Sequence, residues 1–361
     1  MDARIRGELL ELQVEFRRRG FYRPATVRIL LEWAYNLTMT FGGLMAWWLF
    51  DSWWLKGAGL LVSTLGLTGI TTSAHTAAHG TALPWQPANT VLAYFGYPFM
   101  VMMSAHFWRH KHNVVHHPAP NVVGVDDDCD LMPFFAMNES NVRSAGRVMG
   151  FYYRRIQGWV FPLALTLNGF NVQRVSWVYL VKQLLDSERR RPAHWLDLVT
   201  LLAHVGVFIV VPCLLLSVAE GLLLNFLRIA TMGHFMFFAF APAHFPAEAE
   251  LTEIERGEDD PVMRQTQGTV NFRTGLIGGL ACNGVGYQIE HHLFPGICHV
   301  HYPRVAPLVR EFCERNGYPY RTLGWGEATV KSYAALFWPR AIHRIAARQQ
   351  RRVAPARRVL A

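Results

Sequence analysis

The residues best suited to chemistry in this chain are its histidines, of which there are 16 among 361 residues. A neutral imidazole binds iron, zinc, copper and nickel. Residues three or four apart lie on the same face of a helix, so a short cluster can direct its rings at one point. Three such clusters occur: His75 with His79; His112 with His116 and His117; and Gln288 with His291 and His292.

The number of clustered histidines indicates more than one metal ion. A tetrahedral zinc site needs only four ligands, whereas the three clusters offer seven histidines. The HExxH motif of zinc proteases and the carboxylate pairs of soluble di-iron bundles are both absent from the sequence. Five scattered cysteines without a CxxC pair argue against a disulfide framework or a thiolate site. The pattern therefore favours a two-metal centre with histidine ligands.

The elements that must position these clusters are long apolar segments. Hydrophobic residues make up 51% of the chain, and they concentrate in runs near the ~20 residues that cross a bilayer. We predict an all-α integral membrane protein with four transmembrane helices in two hairpins, and a helical cytoplasmic cap formed by residues 74–195 and 243–361. The whole chain is expected to form a single domain. The four predicted spans are residues 28–50, 54–73, 196–217 and 220–242.

The distribution of basic residues predicts the orientation in the membrane. Arginine is concentrated in the N-terminal segment, in residues 143–191 and after Trp338, whereas the short turns near Asp51 and Ser217 contain no Lys or Arg. The positive-inside rule places both termini and the histidine clusters in the cytoplasm. A membrane location also accounts for the net charge of +9, so we expect membrane lipids, and no nucleic acid, as partners.

Two further apolar runs, residues 89–104 and 158–170, contain prolines that we expect to break them. Pro98 interrupts the first run, and Pro162 with Asn168 interrupts the second. We predict that both are helices on or dipping into the membrane surface. If neither crosses, the even number of spans brings all three histidine clusters to the same side.

The motif set HxxxH, HxxxHH and QxxHH resembles the membrane-bound fatty acid desaturase superfamily. The string QIEHHLFP from Gln288 resembles its front-end subgroup, which includes delta-5, delta-6 and sphingolipid delta-8 enzymes. Supporting matches are WRHKHN from Trp108, Asn121 with Asp126 downstream, and TVNF from Thr269. The resemblance covers about residues 30 to 320.

The resemblance implies a di-iron fatty acyl desaturase that uses dioxygen and two external electrons to form a C=C bond. Gln288 stands where other subfamilies have histidine, and it would ligate weakly, act through water or only shape the site. No HPGG segment of a fused haem domain occurs, so the donor is expected to be a separate redox protein, a ferredoxin or cytochrome b5. The fatty acyl substrate is lipid-, CoA- or carrier-linked. The implied iron ligands are His75, His79, His112, His116, His117, His291 and His292, with His244 and Gln288 as further candidates.

Three other functions stay open at this point. The same site suits a fatty acyl hydroxylase or a sphingolipid desaturase, and a related non-catalytic membrane protein that binds metal or lipid is the third. Two departures from the family pattern bear on the choice: Thr76 replaces a common Asp after the first histidine, and Gly286 replaces a common Asn. Two alternatives stay open for Asp126, Asp127, Asp128 and Asp130: they orient ligand imidazoles, or they form a solvated acidic loop. His299 and His301 are weaker candidates for a place directly behind the ligands.

Overall fold

A computed structural model describes residues 1–253 and 260–344, and most of these residues are helical. The last basic residues of the predicted cytoplasmic cap lie outside the described residues. The first three helices are α1 (Ala3–Arg18), α2 (Thr26–Leu49) and α3 (Trp53–Ala78).

Helices α2 and α3 form a tightly packed hairpin because small residues line their contact. A Cβ atom on Gly43 would lie 2.3 Å from the carbonyl oxygen of Gly59, and one on Gly66 would lie 2.6 Å from that of Asn36. Only glycine permits this close backbone approach. The hairpin in turn fixes where α3 ends, and the first histidine pair lies at that end.

The remaining helices range in length from 5 to 29 residues. Short π-helical segments span Phe95–Phe99, His110–His116 and Gly206–Val210. The other helices are α4 (Gln86–Tyr94), α5 (Ala105–Arg109), α6 (Glu139–Ser144), α7 (Arg147–Arg155), α8 (Gln157–Leu185), α9 (Pro192–Val205), α10 (Val211–Leu215), α11 (Val218–His244), α12 (Pro261–Gln267), α13 (Leu276–Cys282), α14 (Gln288–Leu293), α15 (Tyr302–Asn316) and α16 (Trp325–Ala334).

Two helical segments of the described chain are long and apolar enough to cross a membrane. They are Pro192–Leu215, which joins α9 to α10, and Val218–His244, which is α11. Helices α2 and α3, of 24 and 26 residues, cover the other two predicted spans. Helix α11 packs against both α3 and α8, so α3 and α11 lie side by side.

The predicted proline breaks were wrong. Helix α8 runs for 29 residues through both Pro162 and Asn168. Pro162 is the sixth residue of the helix, so the amide hydrogen that it lacks would have formed a single hydrogen bond, to a carbonyl group of the first turn. At Pro98 the chain widens into the Phe95–Phe99 π-helical segment and continues as helix to Val101.

Two small parallel sheets, which the all-α prediction omitted, pair segments within residues 243–344 of the predicted cap. Strand β1 (Leu251–Glu253) pairs with β4 (Ile342–Arg344), and β2 (Asn271–Arg273) pairs with β3 (Thr322–Gly324). Phe272 lies opposite Leu323, and both are buried. The sheets hold the segments before and after α14, which carries the third histidine cluster.

Candidate metal centre

Eight histidines from distant parts of the sequence meet in two groups. Within each group, the candidate ligand atoms lie within 4.8 Å of one another. The structure therefore brings together all seven histidines of the three clusters and adds His244. The larger group contains His75, His79, His112, His117 and His291, and the smaller contains His116, His244 and His292.

The two groups adjoin because neighbouring residues are divided between them. His116 and His117 are consecutive but belong to different groups, and so are His291 and His292. The rings of His117 and His292 are stacked with their centroids 4.6 Å apart, and those of His116 and His292 are 5.0 Å apart. Two metal ions held by these groups would be close neighbours.

A π-helical segment sets the geometry of the second cluster. The sequence predicted α-helical spacing, but His110–His116 is π-helical. In a π-helix the backbone hydrogen bond joins residues five apart, and the amide of His117 accordingly donates to the carbonyl oxygen of His112 at 2.9 Å. This wider turn places the His112 and His117 rings side by side, with centroids 4.5 Å apart. His116 is left to face the smaller group.

Helix ends supply three of the other histidines. His75 lies in the last turn of α3 and His79 immediately follows the helix, with ring centroids 4.9 Å apart. His244 is the last residue of α11. Its carbonyl oxygen accepts hydrogen bonds from Asn121 Nδ2 at 2.8 Å and from Arg340 Nη1 at 3.0 Å. These two donors fix the end of α11 and hence the His244 ring.

The nitrogen atoms of the two groups form a donor set that fits metal ions. Among the described residues, the buried Nε2 atoms of His79, His291 and His292 and the Nδ1 atom of His244 have no hydrogen-bond partner. Buried polar atoms are rarely left unpaired in native proteins. Each of these nitrogens therefore suits a metal ion as its partner.

Groups just outside the two histidine groups orient the rings. His116 Nδ1 donates to Asp126 Oδ2 at 2.9 Å, and His292 Nδ1 donates to Gln265 Oε1 at 3.0 Å. With the proton on Nδ1, the Nε2 atom is left to bind metal. Of the four aspartates considered, Asp126 makes this close contact with a candidate ligand, whereas no sequence signal indicated Gln265.

Electrostatics favours neutral imidazoles in the larger group. Burial lowers the pKa of His79 to about 4, with Arg109 adding to the effect, and it lowers the pKa values of His112 and His291 well below the ordinary value. Burial opposes ionisation of Asp126, but its contact with His116 outweighs burial and lowers the pKa of Asp126 to about 2. The low pKa values favour the neutral form of the rings in the larger group, and neutral imidazole is the form that binds a divalent cation.

Gln288 lies on the first turn of α14, one turn before the two histidines of that helix, and it is buried. Its neighbour Glu290 is also buried, and it accepts hydrogen bonds from Tyr320 OH at 2.6 Å and Asn271 Nδ2 at 2.9 Å. Asn271 belongs to the TVNF motif, and its Oδ1 accepts from the amide of Ile289. These contacts fix the orientation of α14.

Histidines outside the two groups have other partners. His204 Nδ1 donates to the carbonyl oxygen of Phe99 at 2.6 Å, and its Nε2 accepts from Arg228 Nη2 on α11 at 3.0 Å. His106 contacts the buried Asp197 at 3.0 Å, and His301 Nε2 donates to the carbonyl oxygen of Arg23. His299 contacts Thr76 at 2.7 Å, which places it directly behind the first histidine pair.

A family model described as fatty acid desaturase matches residues 51–324, a stretch that contains all eight histidines of the two groups. The chain belongs to the fatty acid desaturase family. Its enzymatic class is therefore that of an oxidoreductase which desaturates fatty acyl chains.

Named relatives narrow the family. This desaturase is 28% identical over 281 residues to the sn-1 linoleoyl-lipid 6-desaturase of Arthrospira platensis, covering 75% of the chain and 74% of that protein. It is 27% identical to Delta(8)-fatty-acid desaturase 2 of Arabidopsis thaliana, covering 71% of the chain and 57% of that protein. It is 28% identical to the Delta 8-(E)-sphingolipid desaturase of Emericella nidulans, covering 69% and 47%. The chain thus spans about half the length of the plant and fungal relatives, and the predicted front-end subgroup is confirmed.

Proposed function

We propose that this desaturase inserts a C=C bond on the carboxyl side of an existing double bond in a lipid-linked acyl chain, at a di-iron centre held by the two histidine groups. When bound, the two irons would supply the oxidising power, drawn from dioxygen and two external electrons, that no side chain provides. Gln288, buried one turn from His291 and His292, is a ninth and weaker candidate ligand.

The observation that carries this proposal is the division of consecutive histidines between two adjoining groups. A single metal ion would not require His116 and His117, or His291 and His292, to face different points. Five and three imidazoles in adjacent groups instead suit two ions that act together. The protein's contribution is to fix the rings through Asp126, through Gln265 and through the hydrogen bond that holds the C-terminal end of α11.

A small, mostly apolar cavity supports an acyl substrate. It lies between α3, α8 and α11, and apart from Gln173 and Arg228 its lining is apolar, with Met103, Met232 and Met236 prominent. Met236 precedes His244 by eight residues, or ~12 Å along an α-helix. An acyl tail in this cavity would extend toward the metal centre, and the flexible methionines would adapt to it. The position of the tail would then decide which carbons are oxidised.

We also propose that the protein crosses the membrane four times, with both termini and the metal centre in the cytoplasm. The support is that His79 directly follows α3 and His244 is the last residue of α11, and both rings belong to the two adjoining histidine groups. Helices α3 and α11 must therefore end on the same side of a bilayer. Cysteines introduced at Ser52 and Ser217 should react with an impermeant reagent only from the outer side, and labelling from the cytoplasm would contradict this topology.

The electrons are proposed to come from a separate acidic redox protein, a ferredoxin or cytochrome b5. The net charge of +9 and the exposed arginines of α7 and of residues 189–191 support such a partner. Attraction between exposed charges is screened by salt. Turnover with the reduced donor should therefore fall steeply as salt is added, and turnover that is independent of salt would contradict the pairing.

The function is tested by lipid mass spectrometry with double-bond localisation. Cells that express wild type or His116→Ala are fed saturated, monounsaturated and diunsaturated acids, together with a competent electron donor. We expect a new double bond on the carboxyl side of an existing one, in wild-type cells only. Gain of an oxygen atom would indicate a hydroxylase, and unchanged lipids would indicate a non-catalytic protein. A new bond in the sphingoid base would favour the sphingolipid substrate that the Emericella relative's name specifies.

A further inference from the structure

A chain of three side chains connects the first histidine pair to a carboxylate on another helix. Thr76 Oγ1 lies 2.7 Å from His299 Nδ1, and His299 Nε2 lies 2.9 Å from Glu32 Oε2. A carboxylate only accepts hydrogen bonds, so Nε2 is the donor to Glu32. In the neutral ring, Nδ1 is then the acceptor for the Thr76 hydroxyl. The chain runs from α3 through the segment after α14 to α2.

Thr76 differs from the other threonines of its helix. Thr64, Thr68, Thr71 and Thr72 each donate to a carbonyl oxygen three or four residues earlier in α3, as threonines within helices commonly do. The side-chain hydroxyl of Thr76 instead contacts His299. In the sequence, Thr76 stood out only as a departure from the family pattern, whereas the structure shows that its hydroxyl is paired with His299.

Burial makes this arrangement costly unless it is well paired. Glu32, Thr76 and His299 are 3%, 5% and 7% exposed. Glu32 lies on α2, within a predicted span, where an ionisable residue is expensive and usually functional. Its other oxygen accepts from Arg28 Nε at 2.8 Å. The carboxylate is thus held between a guanidinium group and an imidazole.

The backbone around His299 is shaped to admit its ring. Gly284 has φ +84°, and a Cβ atom there would lie 2.5 Å from the Cβ of His299. The preceding Asn283 donates to the carbonyl oxygen of Gly69 and to Ser73 Oγ on α3. The loop after α13 is therefore fastened to α3 and leaves room for His299 against the last turn of that helix.

Thr76 lies between two candidate ligands of the larger histidine group. It follows His75 directly, and the hydroxyl is fixed by His299 in the turn that ends at His79. His75, Thr76, His79 and His299 also line one small cavity beside the group. A displacement of Thr76 would move both candidate ligands of this turn together.

We propose that Glu32 and His299 are positioning residues for metal binding, which act through Thr76 to hold His75 and His79 in place. This inference rests on the proposed di-iron function. The family pattern commonly has an aspartate at the Thr76 position. Here Glu32 and His299, which are distant from Thr76 in sequence, would supply the missing carboxylate support through the Thr76 hydroxyl. Loss of a group that orients a metal ligand weakens metal binding roughly 10- to 100-fold.

The test measures Fe²⁺ affinity anaerobically, by chelator competition, on the full chain in detergent. Glu32→Gln removes the charge and one of the two acceptor oxygens that His299 and Arg28 share, and Thr76→Val removes the hydroxyl, each with little change in volume. We expect both variants to bind Fe²⁺ roughly 10- to 100-fold more weakly than wild type. The double variant should bind Fe²⁺ no more weakly than the weaker-binding single variant, because both changes act on the same chain of contacts.

Two matched controls separate this effect from a general loss of stability. Thr71→Val removes a buried hydroxyl that bonds only within α3, at 2.7 Å from the carbonyl oxygen of Thr68. Glu220→Gln removes a carboxylate that lies near Lys56, at the start of α11 and far along that helix from His244. Both controls should bind Fe²⁺ like wild type. The visible absorption bands of bound Co²⁺ should shift in Thr76→Val and not in Thr71→Val.

Wild-type Fe²⁺ affinity in Glu32→Gln and Thr76→Val would overturn the inference. Losses that add in the double variant, or equal losses in Thr71→Val, would overturn it as well. A wild-type protein that binds no Fe²⁺ would instead overturn the proposed function on which the inference rests.

Discussion

Asp126→Asn is the change that most sharply tests how the smaller histidine group is held. Asp126 is 1% exposed, and its Oδ2 atom accepts from His116 Nδ1 at 2.9 Å and from the Asn121 amide at 2.8 Å. Oδ1 accepts from the Asp128 amide at 3.0 Å. The asparagine has nearly the same shape but carries no charge and only one acceptor oxygen. The bond that orients His116 is therefore weakened.

The expected magnitude follows from the role of such groups in metal sites. Losing the partner of a ligand imidazole costs roughly 10- to 100-fold in metal affinity, which is about 1.4 to 2.8 kcal/mol. The loss should fall on the smaller group, so one of two irons should dissociate first in a chelator titration. The neighbouring Asp127 is exposed, and Asp127→Asn serves as the matched control with unchanged iron binding.

The assay counts irons per chain as a chelator is added, and circular dichroism verifies that each variant is folded. If Asp126→Asn retains both irons with wild-type affinity, the orienting role of Asp126 is wrong. If both irons leave together with equal loss of affinity, the assignment of Asp126 to the smaller group is wrong.

Three further predictions concern the larger group, the acyl cavity and the metal. Tyr302→Phe removes the hydroxyl that lies 3.1 Å from His291 Nδ1, so Fe²⁺ affinity should fall several-fold, up to roughly tenfold, and an unchanged affinity would show that this contact is dispensable. Met236→Trp narrows the cavity lined by Met236 and Met232, so mass spectrometry should find shorter acyl products with iron content unchanged; products of unchanged length would show that the tail lies elsewhere. Removing the metal with a chelator should abolish double-bond formation, and Fe²⁺ but not Zn²⁺ should restore it, because zinc has no redox chemistry; restoration by Zn²⁺ would contradict the oxidative mechanism.

The sequence was sufficient for helices α2, α3 and α11 and for seven of the eight grouped histidines because both follow from short-range patterns. Apolar runs marked where α2, α3 and α11 lie, and the spacing of the clusters marked which histidines could act together. His244 was found only through the family resemblance and its place at the end of the fourth run. A single histidine has no spacing pattern of its own, so tertiary structure had to supply its partners.

The division into two groups could not be read from the sequence. It depends on the π-helical segment His110–His116, and π-helical turns carry no distinct sequence signature. A regular α-helix would have directed His112 and His116 to one point, and that was the expectation. Similarly, Pro162 marked a break that did not occur, since a proline near the start of a long helix sacrifices few hydrogen bonds.

The support around the site was also hidden from the sequence because it is long-range. Glu32 and His299 are far apart in the chain and share no motif, yet they lie 2.9 Å apart. Gln265 has no spacing relation to His292, and it contacts that ring only because α12 packs on α14. Such pairs emerge only when the whole cap is assembled.

The most direct test of the central claim is the iron content of the purified chain, with its Mössbauer spectrum. Protein from iron-replete cells should carry two irons per chain, with a spectrum of two magnetically coupled sites. One iron per chain, or zinc in place of iron, would contradict a di-iron centre built from the two histidine groups.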